Sequence, residues 1–136
     1  MNQHLSHISL WVRDHDEALA FYTEKLGFEV REDVTLPEFG DYRWLTIGPP
    51  ENPDFALSVN VPGPPFDDDK VQALNKLMAD GVLEGLFFAT DDIEATHEQL
   101  KSRGVKIDQP PTQQPYGTEI VLSDPSGNSI RYVQRA

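Results

Sequence analysis

The stretch His7–Val30, HISLWVRDHDEALAFYTEKLGFEV, decides the reading of the chain. Its first six residues, His7 to Val12, are rich in β-branched and aromatic side chains, which suit a half-buried strand. Asp14 follows as a helix N-cap, and Glu17 three residues on is placed to complete a capping box. Ala18, Phe21, Tyr22 and Leu26 then recur at helical spacing, which predicts an amphipathic helix with one apolar face. Gly27 is the stop, a residue that takes the left-handed conformation without steric cost. Phe28 opens the next strand. The unit is therefore β-α-β.

The same order returns at Gly85–Ile107, GLFFATDDIEATHEQLKSRGVKI. An apolar strand leads to an aspartate pair, a helix with Ile93, Thr96 and Leu100 inward, then Gly104 and a short strand. Two copies of one supersecondary unit in 136 residues predict a single pseudo-symmetric domain spanning residues 1–136. Between them, Arg31 to Phe39 reads as strand broken at Pro37. Tyr42 to Ile47 is a further strand, and Gly48 to Pro53 a loop. Phe55 to Val61 alternates as a strand does. The expected organisation is a βαβββ module over residues 1–61, a linker with a helix over 62–81, and a second βαβββ module over 82–136, an α+β fold. In the linker, Asp67-Asp68-Asp69 reads as a helix N-terminus whose carboxylates cap and favour the dipole. Val71, Leu74, Leu77 and Met78 make an apolar stripe behind it. In the second module Glu119 to Leu122 and Ser129 to Val133 are strands joined by the turn Asp124-Pro125-Ser126-Gly127-Asn128. Gln109–Tyr116 reads as loop.

Composition narrows the function. There are no cysteines, which removes disulfides, thiolate metal sites and cysteine nucleophiles. The formal net charge of −12 argues against nucleic acid or an anionic membrane as partner, since both need a basic face. No apolar run approaches a membrane span and no signal-peptide pattern opens the chain, so a cytoplasmic protein is expected.

The run from His7 through Asp14 to Phe21-Tyr22 and Leu26-Gly27-Phe28 resembles the first module of the vicinal oxygen chelate superfamily, which includes glyoxalase I, bleomycin-resistance proteins and extradiol dioxygenases. Asp91-Asp92-Ile93, Leu100, Arg103-Gly104-Val105 and Asp124-Pro125-Ser126-Gly127-Asn128 resemble its second module. The resemblance implies two modules whose curved mixed sheets enclose a cup. It also implies a divalent metal held by the first and last strands of each module, usually through histidine or glutamine on the first and glutamate on the last. The four corresponding positions are His7, then Gly85 or Glu84 according to register, Ser58, and Arg131. One residue of slip reverses every side chain, so Gly85 and Glu84 cannot both face inward. The superfamily's aspartate doublet favours Gly85.

His, Gly, Ser and Arg do not make a metal site. A guanidinium keeps its positive charge and repels a cation, and one histidine with a serine falls short of three good ligands. Strand parity adds Ser9 and Trp11 beside His7, Asn60 beside Ser58, and Phe87 beside Gly85, with Trp44 or Tyr42 from the third strand. Few polar groups among aromatics are the usual lining of a small-molecule pocket. Ser9, Trp11, Trp44, Ser58, Asn60, Phe87 and Arg131 are the candidate binding residues, and His7 and Glu119 the candidate catalytic ones. Arg131 is expected to hold either a ligand anion or Glu119. His15 and His97 are expected to face solvent.

The reading is a metal-free binder of a small organic molecule, aromatic or anionic, with no cofactor, acting as a homodimer. One alternative is a lyase, isomerase or dioxygenase that uses one divalent metal ion through His7, Glu84 or Glu119. Another is a metal-free enzyme with His7 as general base.

Overall fold

The computed structural model describes residues 1–83 and 85–136. They form two compact units, Met1–Val71 and Gln72–Ala136. The first contains β1 (Ile8–Trp11), α1 (His15–Ala20), β2 (Glu29–Leu36), β3 (Tyr42–Gly48) and β4 (Leu57–Asn60). Helix α2 (Asp68–Ala79) runs across the boundary. The second unit continues with β5 (Leu86–Ala89), α3 (Ile93–Ser102), β6 (Ile107–Gln114), β7 (Gly117–Ser123) and β8 (Ser129–Arg135). Each unit is thus βαβββ. The sheet orders, β1-β4-β3-β2 and β5-β8-β7-β6, are the same topology twice. In each sheet the first strand pairs parallel with the last, and the remaining pairs are antiparallel. The fold is α+β with two mixed four-stranded sheets, and neither sheet closes into a barrel.

Alternation along the strands gives each sheet a helix-packed face and an open face. In the first unit Leu10, Val12, Leu45, Ile47, Leu57 and Val59 are buried, with Ala18, Tyr22 and Phe28 from the α1 segment. In the second, Leu86, Ile120, Leu122 and Ile130 are buried with Ile93, Leu100 and Val105. Each fully buried aliphatic or aromatic side chain contributes about 1.5–3 kcal/mol through apolar burial, so the helix-side faces hold the units together.

The first helix starts as its sequence predicts. The Asp14 carboxylate accepts from the Glu17 backbone N–H at 2.7 Å. The capping box is only half made, because the Glu17 carboxylate turns to Arg13 instead, in a two-pronged ion pair at 2.6 and 2.8 Å. The helix widens into a π-turn over Phe21–Lys25 and ends at Gly27, whose φ is 74°. Replacing Asp14 with Ala is expected to lower stability by about 1 kcal/mol, the usual cost of a lost cap. Urea unfolding with an unchanged m-value checks it. Asp67 caps α2 in the same manner, accepting from the Lys70 N–H at 2.9 Å, so the aspartate run acts at a helix start as expected.

Two local expectations are corrected. Most of Gln109–Tyr116 is strand, since β6 pairs with β7 through Gln114 despite Pro110 and Pro111. β6 is an edge strand, where a missing N–H can face away from the ladder. His97 is half-buried rather than solvent-facing, and so is His15. The Nε2 of His15 has no hydrogen-bond partner, and burial, reinforced by the Arg43 charge, lowers the pKa of this imidazole.

Arg43 ties α1 to the sheet by bonding Asp16 at 2.7 Å and Asp33 at 2.9 Å on both oxygens. The hydrogen bonds from Arg43 hold the Asp33 pKa below its ordinary value. A carboxyl depressed in the folded state stabilises it above the unfolded pKa, near 4, and that contribution disappears as pH falls through the folded value. Asp33→Asn is therefore expected to lose less stability than the parent protein between about pH 4 and 2, as read from thermal melts across that range.

Candidate functional site

The open face of the first sheet carries most of the residues singled out from the sequence. Because Leu10 and Val12 point to the helix side, His7, Ser9 and Trp11 lie on the other. Ser9, Ser58 and Thr46 are aligned across three strands by register. His7 and Trp44 meet edge to face with ring centroids 5.1 Å apart, and Trp11 meets Phe66 at 5.9 Å. A short relay runs beneath. The Tyr42 hydroxyl donates to Asn60 Oδ1 at 2.6 Å, and Asn60 Nδ2 donates to Ser58 Oγ at 3.0 Å. Ser58 and Thr46 are buried, so this relay positions side chains rather than exposing a nucleophile. His7 is exposed, and its Nδ1 is engaged with the neighbouring Ser6 hydroxyl at 2.9 Å.

The second sheet carries a cleft. Strand β8 sends Ile130 to the helix side, so Arg131, Val133 and Arg135 alternate onto the open face. Register sets Phe87 opposite Arg131 and Ala89 opposite Val133. These five residues, with Phe88 and Tyr116, line an open cleft of about 600 Å³. Phe87 and Tyr116 stand well out, 66% and 49% exposed.

Under Arg131 lies Glu119, with its side chain 4% exposed. It faces Val133 across the β7–β8 ladder, whereas Arg131 faces Val121, so the two charges are diagonal neighbours. Arg131 Nη1 donates to Glu119 Oε1 at 3.1 Å. Glu119 Oε2 is buried and accepts no well-formed hydrogen bond. The Tyr116 phenol interacts with the same carboxylate without completing a bond to Oε2, and this raises the phenol's pKa.

The structure thus brings Phe87, Arg131 and Glu119 together in one unit, and His7, Ser9, Trp11, Trp44, Ser58 and Asn60 together in the other. Sequence reasoning missed Tyr116, Val133 and Arg135. Period-two counting onward from Arg131 reaches Val133 and Arg135, so that signal was present. Tyr116 had none, because it belongs to a turn whose direction depends on how β6 pairs with β7.

The glyoxalase/bleomycin resistance protein/dioxygenase superfamily matches residues 4–132. This protein belongs to that superfamily. The superfamily member is 41% identical to UcmS2, whose crystal structure aligns over 98% of both chains with a TM-score of 0.88. It is 30% identical to TnmS3, described as an antibiotic binding protein from Streptomyces sp. CB03234, over 99% of this chain and 98% of that one, with a TM-score of 0.74. It is also 35% identical over 127 residues to YurT of Bacillus subtilis strain 168, covering 93% of this chain and 95% of YurT.

The superfamily's metal positions can now be tested on the side chains. Arg131 is a permanent cation, and Ser58 Oγ already accepts from Asn60. Glu84 lies outside the described residues. Gly85 has no room for a ligand of any kind. A Cβ built there would overlap the Ser129 carbonyl oxygen and lie 2.8 Å from its carbon. Among the described residues no three His, Asp or Glu side chains come together as a metal-binding group. Among the described residues, this donor set does not fit a divalent cation. No helix among the described residues is long and apolar enough to cross a membrane.

Proposed function

We propose that this superfamily member binds a small organic molecule in the second-unit cleft, with no catalytic metal. The observation that carries the reading is the lining of that cleft. Phe87 and Tyr116 offer exposed aromatic faces, and Arg131 offers directional donors on the same open face. Apolar walls with few oriented polar groups bury a ligand's rings and fix its orientation. The likeness to TnmS3 supports binding rather than conversion, since that protein is an antibiotic binding protein. The donor set points the same way, because a cation placed beside Arg131 would be repelled by it. On this reading Trp44 and His7 shape the first unit's open face, and His7 is not a general base.

The test combines two measurements on protein purified without chelator. Elemental analysis is expected to find no divalent ion at one per chain. Equilibrium dialysis against a panel of aromatic antibiotics, bleomycin included, is expected to find at least one that is retained equally before and after EDTA. A stoichiometric divalent ion, with retention abolished by EDTA, would replace this reading with a metal-dependent one.

A further inference from the structure

We infer that the cleft takes a neutral head group presenting a hydrogen-bond donor beside an acceptor, as a carboxamide does, in preference to a carboxylate; the inference rests on the binding function proposed above. It starts from Glu119. The side chain is 4% exposed, yet Oε2 has no hydrogen-bond partner. A buried charged acceptor left unmet is costly, and few native groups are left so. Only a donor can meet it, because an ionised carboxylate has nothing to give.

Arg131 sets the complementary demand. It makes one hydrogen bond to protein among the described residues, through Nη1, and its side chain remains 35% exposed. The remaining N–H groups of the guanidinium are not used by protein in the described residues and can take a ligand acceptor in place of water. The two needs lie on neighbouring strands of one face, so a single planar group carrying N–H and C=O side by side can meet both. Its attached ring would lie against Phe87 and Tyr116.

Charge excludes the simpler ligands. A carboxylate satisfies Arg131 but brings a second anion up to buried Glu119, and two carboxylates sharing a site resist joint ionisation. An amidinium suits Glu119 but is repelled by Arg131. A neutral group avoids both penalties. Tyr116 stands where the ligand's donor would stand. Its phenol interacts with the Glu119 carboxylate, and the residue is 49% exposed beside the β6–β7 turn, so binding on this inference displaces the phenol toward solvent and opens Oε2 to the ligand. Arg135, which also lines the cleft, adds to Arg131 in favouring an anion. Benzoate is therefore the decisive competitor.

Three fragments that share one ring separate the possibilities: benzamide, benzoate and benzamidine, titrated into isotope-labelled protein by NMR. Benzamide is expected to shift the Phe87, Tyr116 and Arg131 side-chain signals with a dissociation constant about fivefold or more below that of benzoate, as a hydrogen bond to a charged group would give. Phe87→Ala, at an exposed position, should weaken all three fragments while leaving the fold intact. Glu119→Gln should cancel the preference for benzamide, since the new amide can donate to a carboxylate. Tyr116→Phe should keep the preference. Benzoate or benzamidine binding in the cleft as tightly as benzamide would overturn the inference while leaving the binding function standing. No shift at these signals from any fragment would overturn both. The wild-type comparison decides the matter even if Glu119→Gln fails to fold.

Discussion

Gly85→Ala is expected to unfold the second unit or cost it about 3 kcal/mol or more, beyond the ordinary range for overpacking. Gly85 immediately precedes β5, at the point where that strand begins to run parallel with β8. A Cβ added there would overlap the Ser129 carbonyl oxygen and approach its backbone nitrogen to 3.1 Å. These are backbone atoms at the start of β8, so no side-chain rotation relieves the clash. Either β5 must peel from β8, or β8 must shift against β7, and both movements break ladder hydrogen bonds. Phe87 and Arg131, opposite one another two residues further along, would separate as the strands part. Chemical denaturation of the Ala variant, with circular dichroism as the readout, gives the size of the effect. A variant as stable as the parent would mean that β5 and β8 do not approach as described, and the cleft geometry would fail with them. The same contact bears on metal chemistry. At Gly85, one of the positions the resemblance assigns to a metal ligand, the backbone is packed too closely for any side chain, so building a ligand there would require rebuilding the strand pair.

The second large effect is expected at Arg131. Arg131→Met should destabilise the protein by about 2–3 kcal/mol, below the usual cost of about 3–5 kcal/mol for stranding a buried charge, because the guanidinium is partly exposed although Glu119 is not. Both Glu119 oxygens would then lack a full partner in a buried setting. Adding Glu119→Gln to that variant removes the uncompensated charge and should recover most of the loss. The two single changes should therefore be strongly non-additive, as expected of residues in direct contact. Urea unfolding of the four proteins completes the cycle. Additive losses would show that the 3.1 Å contact carries no energy and that the guanidinium is held for another purpose. The cycle also separates stability from binding, because a ligand anchored on Arg131 is lost in both Met-containing proteins while stability returns in one of them.

How much of this was legible in the sequence depends on how local each feature is. Asp14, Gly27, Asp92 and the turn around Asp124 act within a few residues of themselves, through caps, a positive φ and side chain-to-backbone bonds. Their chemistry can be read from spacing alone, and with the strand and helix periods it determined two βαβββ units. Parity likewise determined that Ser9, Trp11 and Asn60 share a face opposite Leu10 and Val59, because a strand alternates whatever its neighbours are. The half-made capping box marks the limit of that logic. Glu17 is correctly spaced to reach back, but Arg13 offers it a charged partner.

The tertiary structure alone decided which groups meet. Arg131 and Glu119 are 12 residues apart and become diagonal neighbours only through the β7–β8 register. The clash at Gly85 depends on Ser129, which reaches it through a parallel pairing that no short turn enforces. The half-buried state of His15 follows from packing that helical spacing does not encode. Tyr116 reaches the cleft because β6 continues as a strand through two prolines, an outcome that local propensity opposes and edge placement permits. Strand and helix periods are properties of a segment, whereas the empty acceptor on Glu119 and the closed backbone at Gly85 are properties of contacts between segments. Only the folded pairing of β5, β8 and β7 creates them.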